Sequence, residues 1–182
     1  MKKLYLIRHA KASWENTEQA DFDRPLTAVG ETDAHSIAQQ LKEQKVKPDL
    51  IISSTAPRAL KTAEIFAEEL GYSAKKITTD EHIYTGGVEE LVKLIKTLPT
   101  KNKTVFLVGH NPTLTLVAHY LSEGLRLNIA TCGVLAIGFN MTEWQDIVET
   151  EGKFLSYVHP HHDLHEHKDS HDQSSGSSSE GF

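Results

Sequence analysis

Two arginines and two histidines carry the chemistry this sequence can be read for. Arg8-His9 closes the apolar run Leu4-Tyr5-Leu6-Ile7; Arg58 lies in SSTAPRALKTA and His110 in LVGHNP. Planar guanidinium forks suit the oxygens of a phosphoryl group, and an imidazole suits its phosphorus. Two histidines can divide the work. One, neutral at the attacking nitrogen, becomes transiently phosphorylated; the other, protonated, helps the arginines stabilise charge on the transferring group. Transfer to histidine followed by attack of water requires no metal and no other cofactor, although a carboxylic acid is usually wanted to protonate the leaving group. Taken singly, each residue has a plainer reading. His9 would be a structural or surface histidine, Arg58 a solvated helix charge, and His110 a loop residue bonded to backbone. Their joint placement is what makes a site.

That placement comes from the elements around them. Leu4 to Ile7, Asp49 to Ser53, Thr104 to Val108 and Val134 to Phe139 read as strands. Continuous apolar runs of this kind suit strands buried on both faces of a sheet covered by helices. Helical spacing recurs in Ala34, Ile37, Ala38 and Leu41, with Thr27 as N-cap, and in Ala59, Ala63, Phe66, Ala67 and Leu70, stopped by Gly71. Val88, Leu91, Val92, Ile95 and Leu98 form a third helical face before Pro99. Asn111-Pro112 reads as an N-cap and first helical residue leading into Leu114, Val117, Ala118 and Leu121. Alternating strands and helices predict an α/β domain with a largely parallel sheet. Such sheets bind ligands outside the carboxyl ends of their strands, where Arg8, His9, Arg58 and His110 all fall. The helix starts near Arg58 and Pro112 add backbone N–H groups and positive dipole ends.

The 182 residues fit one domain, and 38% hydrophobic with 24% charged residues is ordinary for a folded protein. We expect a domain over 1–157 and a disordered His-, Ser- and Asp-rich tail over 158–182, which has too few apolar residues to offset its ordering entropy. Most of the net charge of -6 lies in that tail, so nothing suggests a nucleic-acid footprint. The tail's histidines, from His159 to His171, invite loose binding of zinc, nickel or copper. With no rigid scaffold to fix them, a solvated tail is the default and no metal site is assigned. Cys132 is the single cysteine, which fits a reducing compartment. Leu4 to Ile7 is too short for a secretory h-region and no stretch is long enough to span a membrane, so the expected location is cytoplasmic. Cys132 itself reads as a buried small hydrophobe.

Together, LIRHAKA, SSTAPRALKTA and LVGHNP resemble the three signature segments of the histidine phosphatase superfamily, also called phosphoglycerate-mutase-like, whose first motif is Arg-His-Gly. Ala10 stands where that glycine usually does. Arg-His-Ala, the following DFDRPLTAVG and the short chain are similar to the SixA-type phosphohistidine phosphatase branch. The resemblance covers roughly Lys2 to Val148. It implies a three-layer αβα sandwich around a largely parallel sheet, with His9 as nucleophile and Arg8, Arg58 and His110 forming the phosphate pocket. Asn16 corresponds to a family asparagine that helps bind phosphate, with Ser13 as the alternative. Arg24 is expected at the pocket mouth, or else in an ion pair with Asp21 or Asp23.

The proton donor is where the sequence departs from the pattern. Many members carry a glutamate in the segment that here reads TTDEHIYTGGVEEL, and the alignment places Thr85 at that position. Glu81, His82 and Glu89 lie nearby; Glu81 is the choice among them for an acid. Without the glutamate, a phosphoramidate is favoured over an ester, because its P–N bond is reactive and its leaving imidazole can take a proton from solvent. The expected activity is therefore metal-independent hydrolysis of protein phosphohistidine, with a histidine-containing phosphotransfer domain as the type of partner. Little chain is left between the strands to build a cap over a small substrate. The rival readings are a small-molecule phosphomonoesterase acting on a phosphorylated metabolite, and a phosphate-binding module without turnover.

Overall fold

The computed structural model describes residues 1–14 and 18–161. In chain order the elements are β1 (Lys2–Arg8), α1 (Ala28–Glu43), β2 (Leu50–Ser53), α2 (Pro57–Leu70), β3 (Thr78–Thr79), α3 (His82–Thr85), α4 (Val88–Lys96), β4 (Thr104–Gly109), α5 (Thr113–Leu121), β5 (Val134–Phe139) and β6 (Lys153–Val158). Short 3-10 turns lie at Asp21–Asp23, Ala74–Lys76 and Trp144–Asp146. The strands form one sheet in the order β3-β2-β4-β1-β5-β6. β1 to β4 run parallel, while β5 and β6 are antiparallel additions at one side.

Side-chain alternation along the central strands builds two separate cores. Leu4 and Leu6, Val105 and Leu107, and Leu135 and Ile137 pack with Leu91 and Ile95 of α4 and Leu114 and Val117 of α5. Tyr5 and Ile7, Phe106 and Val108, and Val134 and Ala136 face the other way, onto Ile37 and Leu41 of α1 and Ala63 and Phe66 of α2. Helices thus cover both faces, the expected three layers. Phe106 is fully buried, so truncating it to alanine costs about 3–5 kcal/mol.

The expected caps hold at two helices. Thr27 Oγ1 accepts the Gly30 N–H (3.0 Å), and Gly71 closes α2 in the left-handed region (φ 72°). Gly30 has a second reason to be glycine: a Cβ there would sit 2.3 Å from the Lys11 carbonyl. That close approach lets α1 press on the loop after β1, where the Thr27 N–H also bonds Lys11 O. α5 departs from expectation. Its first helical residue is Thr113, so Pro112 stands just outside the helix, and the Asn111-Pro112 peptide is cis. Asn111 still caps, its Oδ1 accepting the Thr115 N–H from one residue further back than read from the sequence.

β3, β6 and α3 carry no clear periodic signal. β3 is two exposed residues, α3 is four residues long, and β6 is an edge strand on which Phe154 and Leu155 are exposed. β6 continues to Val158; the tail beyond position 161 lies outside the described residues. Cys132 is buried, as expected. Among the described residues, no helix is long and apolar enough to cross a membrane.

Candidate active site

The three adjacent parallel strands β2, β4 and β1 end level with one another. Arg8 pairs in register with Gly109, and Ser53 with Val108. Their carboxyl ends open into a cleft of about 710 Å³ that holds Arg8, His9, Arg58 and His110. The four residues singled out in the sequence therefore converge.

His9 is held by its own main chain. Its N–H bonds Gly109 O (3.0 Å), and its carbonyl accepts the Cys132 N–H (3.1 Å), so the residue is pinned between two neighbouring segments. Nδ1 lies 2.8 Å from Ala10 O. A carbonyl only accepts, so Nδ1 carries the proton and Nε2 presents its lone pair. That lone pair accepts the Arg58 Nε–H at 3.3 Å. Burial, with the charges of Arg58, Arg8 and Arg24, pushes the His9 pKa down to about 4, so the ring is neutral at pH 7.

Arg58 is brought in by α2, whose start is capped by Ser54 rather than by a residue at the N-cap: Ser54 Oγ accepts the Ala56 N–H at 3.1 Å. Pro57 opens the helix and Arg58 follows, 4% exposed. Thr62 ties this helix to the loop after His9, donating to Arg58 O and accepting the Ala10 N–H. Arg8 donates Nη1 to Ile129 O (3.0 Å).

His110 differs from its expected state. Its Nε2 lies 2.8 Å from Ser54 Oγ. Burial comes first among the causes that lower its pKa to about 3, followed by His9 and Arg58, so in the protein alone this ring is neutral rather than protonated. An incoming phosphoryl dianion acts in the opposite sense and favours the imidazolium. Among the described residues, His110 Nδ1 and Arg8 Nε are buried without a hydrogen-bond partner. Two orphaned nitrogens lining one cleft are what an anion-binding pocket presents.

The rim contains residues that sequence reasoning missed. Asp21, from the 3-10 turn after the first loop, contacts Arg24 through Oδ1 and Arg58 through Oδ2, each at 3.0 Å. Tyr84 donates its hydroxyl to Oδ2 at 2.8 Å. The Tyr84 bond, then those of Arg24 and Arg58, hold the Asp21 carboxyl at about 2 against partial desolvation. Tyr84 reaches the cleft because α3 buries Ile83 against Gly109, where a Cβ would sit 2.9 Å from Ile83 Cγ2. The Tyr84 ring then meets His110 edge-on at 5.3 Å. The cluster of acids in DFDRP was a signal for Asp21. Nothing local marked Tyr84.

Arg24 lines the cleft and also makes the ion pair with Asp21, so both of its sequence readings hold geometrically. Its guanidinium lies 3.1 Å from the centre of the Trp14 ring, and its Nε donates to Ser13 O. Ser13 contributes that carbonyl but does not line the cleft, and Asn16 lies outside the described residues. Glu81 is not brought to the cleft either. It is exposed at the start of α3, where its carbonyl accepts the Tyr84 N–H. Glu89 is exposed on α4, beside a separate groove with Val92 and Tyr120, and His82 pairs with Asp80. Among the described residues, Asp21 is the one carboxylate lining the cleft.

Comparison with known proteins agrees with this architecture. The family model of the histidine phosphatase superfamily (branch 1) matches residues 4–84. SixA of Agrobacterium tumefaciens superimposes with a TM-score of 0.74 at 29% identity, covering 88% of this chain and 99% of that one. A chloroplastic protein of Arabidopsis thaliana is 28% identical over 159 residues, 83% of this chain and 72% of its own. A 2,3-bisphosphoglycerate-dependent phosphoglycerate mutase of Bifidobacterium longum is 42% identical over 65 residues, a match spanning 35% of this chain and only 26% of the mutase. The sheet and its helical layers are the phosphoglycerate-mutase-like fold. Residues 4–84 thus match the histidine phosphatase superfamily, on a fold that the chain shares with SixA.

Proposed function

We propose that this chain is a phosphatase that removes the phosphoryl group from phosphohistidine on a protein, through a phospho-His9 intermediate. The observation that carries the reading is the state of His9: neutral, Nδ1 tied to Ala10 O, and Nε2 offered to a cleft lined by arginines. In the first step, the Arg58 Nε–H shifts its hydrogen bond from His9 Nε2 to a phosphoryl oxygen, and the freed Nε2 lone pair forms a bond to phosphorus as the P–N bond of the substrate breaks. The departing imidazole nitrogen takes its proton from solvent. In the second, water attacks the phosphorus, loses a proton to solvent, and returns the electron pair to His9 Nε2 as phosphate leaves. Arg8, Arg58 and, once an anion charges it, His110 stabilise the transferring group.

What lines the cleft supports this substrate class. Asp21, held at about 2, is ionised at neutral pH and has no proton to give. A leaving group that solvent can protonate fits such a site better than an alkoxide does. The cleft is also open enough to admit a side chain presented by a protein, and a phosphotransfer domain is the partner of that description.

The test is rapid-quench labelling with a phosphohistidine protein carrying radioactive phosphate, run with chelator. Acid-labile label on wild type, absent from folded His9→Ala, supports nucleophile and metal independence together. Efficient turnover of small phosphate esters with no attack on phosphohistidine would overturn the substrate assignment.

A further inference from the structure

Among the described residues, two of the three hydrogen bonds that the Arg58 guanidinium makes go to one residue. Nη1 donates to the Asp21 carbonyl at 2.7 Å and Nη2 to the Asp21 carboxylate at 3.0 Å, while Nε–H points at His9 Nε2. A guanidinium is planar, so fixing both Nη groups fixes where Nε points. The same carboxylate holds Arg24 through its other oxygen and takes the Tyr84 hydroxyl. Three donors from three segments of chain thus converge on an anion that belongs to the protein. The two arginines it binds are the ones that converge from α2 and from the loop before α1 on the cleft.

We propose that Asp21 is a positioning residue of the phosphate site: an internal anion that orients Arg58 toward His9 and competes with phosphoryl oxygens for the two arginines. This rests on the phosphoryl-transfer reading above and adds two opposite effects to it. By clamping Arg58, Asp21 holds the Nε–H beside His9 Nε2, where its hydrogen bond can pass to a phosphoryl oxygen as the lone pair turns to phosphorus; this speeds transfer, since a misaimed donor loses much of its effect on the transition state. By placing a negative charge beside the bound anion, it weakens the hold on phosphate and so aids product release. The carboxylate is half exposed, so its charge is screened and the second effect is modest.

Asp21→Asn keeps the shape and removes the charge, which separates the two effects. Titration of the whole protein with inorganic phosphate by calorimetry gives affinity without turnover; single-turnover labelling of His9 gives the transfer rate. We expect phosphate to bind about three- to fivefold more tightly to Asp21→Asn and labelling to slow about tenfold. Asp21→Glu, which restores charge on a longer stem, should return affinity to the wild-type level. A residue that merely supports the fold would weaken both readouts together, with a fall in melting temperature. Unchanged or weaker phosphate binding by folded Asp21→Asn, or an unaltered labelling rate, overturns the proposal. If wild type takes no label from phosphohistidine, the functional reading falls instead, and the phosphate titration alone decides on Asp21.

Discussion

The two sides of the cleft are built on different principles. The strand-end wall carries His9, Arg58 and His110, and main-chain and helix geometry brings them there. His9 is pinned by backbone bonds to Gly109 and Cys132, and Arg58 is delivered by the first turn of α2. The rim carries Trp14, Asp21, Arg24 and Tyr84, joined to one another by side-chain contacts, of which Tyr84 to Asp21 spans 63 residues. Backbone placement survives the loss of one side chain, whereas a side-chain network rearranges. The wall is therefore suited to the bond-making atoms and the rim to tuning them.

The largest effect should come from the wall. His9→Gln removes the nitrogen proposed to attack but keeps the bonds made by the backbone, so turnover should fall by about a thousandfold or more while the melting temperature changes little. Steady-state rates beside thermal melts check this. Substantial residual turnover would mean direct attack of water without the covalent intermediate. Arg58→Lys comes next. An ammonium cannot occupy His9 Nε2, Asp21 O and Asp21 Oδ2 with the same fork, and we expect about a hundredfold loss in kcat/KM. A loss below tenfold would show that charge alone suffices there.

How legible each side is in the sequence follows from the same contrast. The wall could be read because its residues sit immediately after apolar runs, and strand ends in parallel sheets converge by topology. The two-faced burial of β1, β4 and β5 was legible for the same reason. The rim was legible only in part. Arg24 and Asp21 share one short segment, so their pairing could be anticipated. Tyr84 lies 63 residues from Asp21 and reaches it through α3, a four-residue helix below the reach of periodicity. β6 was missed because an edge strand half open to solvent lacks the continuous apolar run. The protonation state of His110 depends on burial and on neighbouring cations that converge only in the folded chain.

Acid should act on the wall before the rim. Both histidines titrate below the ordinary value of 6.5, His9 at about 4 and His110 at about 3. As pH falls below 6.5, the unfolded chain binds protons that the folded chain refuses, so stability declines with falling pH down to those values. Asp21 adds its own loss lower, between about 3.8 and 2, because its ionised form is the one favoured by folding. Melting temperature should therefore drop between pH 7 and 4.5, and drop less in His110→Gln. kcat/KM should fall as His9 protonates near 4. A loss of activity near 6.5 beyond that due to the substrate's own phosphoryl ionisation, at about 6, would mean that His9 is far less desolvated than its burial indicates.

The smallest effect should come from Tyr84→Phe. The ring keeps its packing against His110 and Phe22, and Asp21 keeps both arginines, so turnover should stay within about threefold and stability within about 1 kcal/mol. The signature lies elsewhere. The Tyr84 hydroxyl is the largest single influence holding the Asp21 carboxyl down, so its loss should move that carboxyl up toward 3.8. Carboxyl carbon NMR across an acid titration reads the shift directly. An upward shift with nearly unchanged turnover would show the rim adjusting the charge of Asp21 without disturbing the wall. A large loss of turnover would instead make Tyr84 part of the bond-making machinery, and the division between wall and rim would not hold.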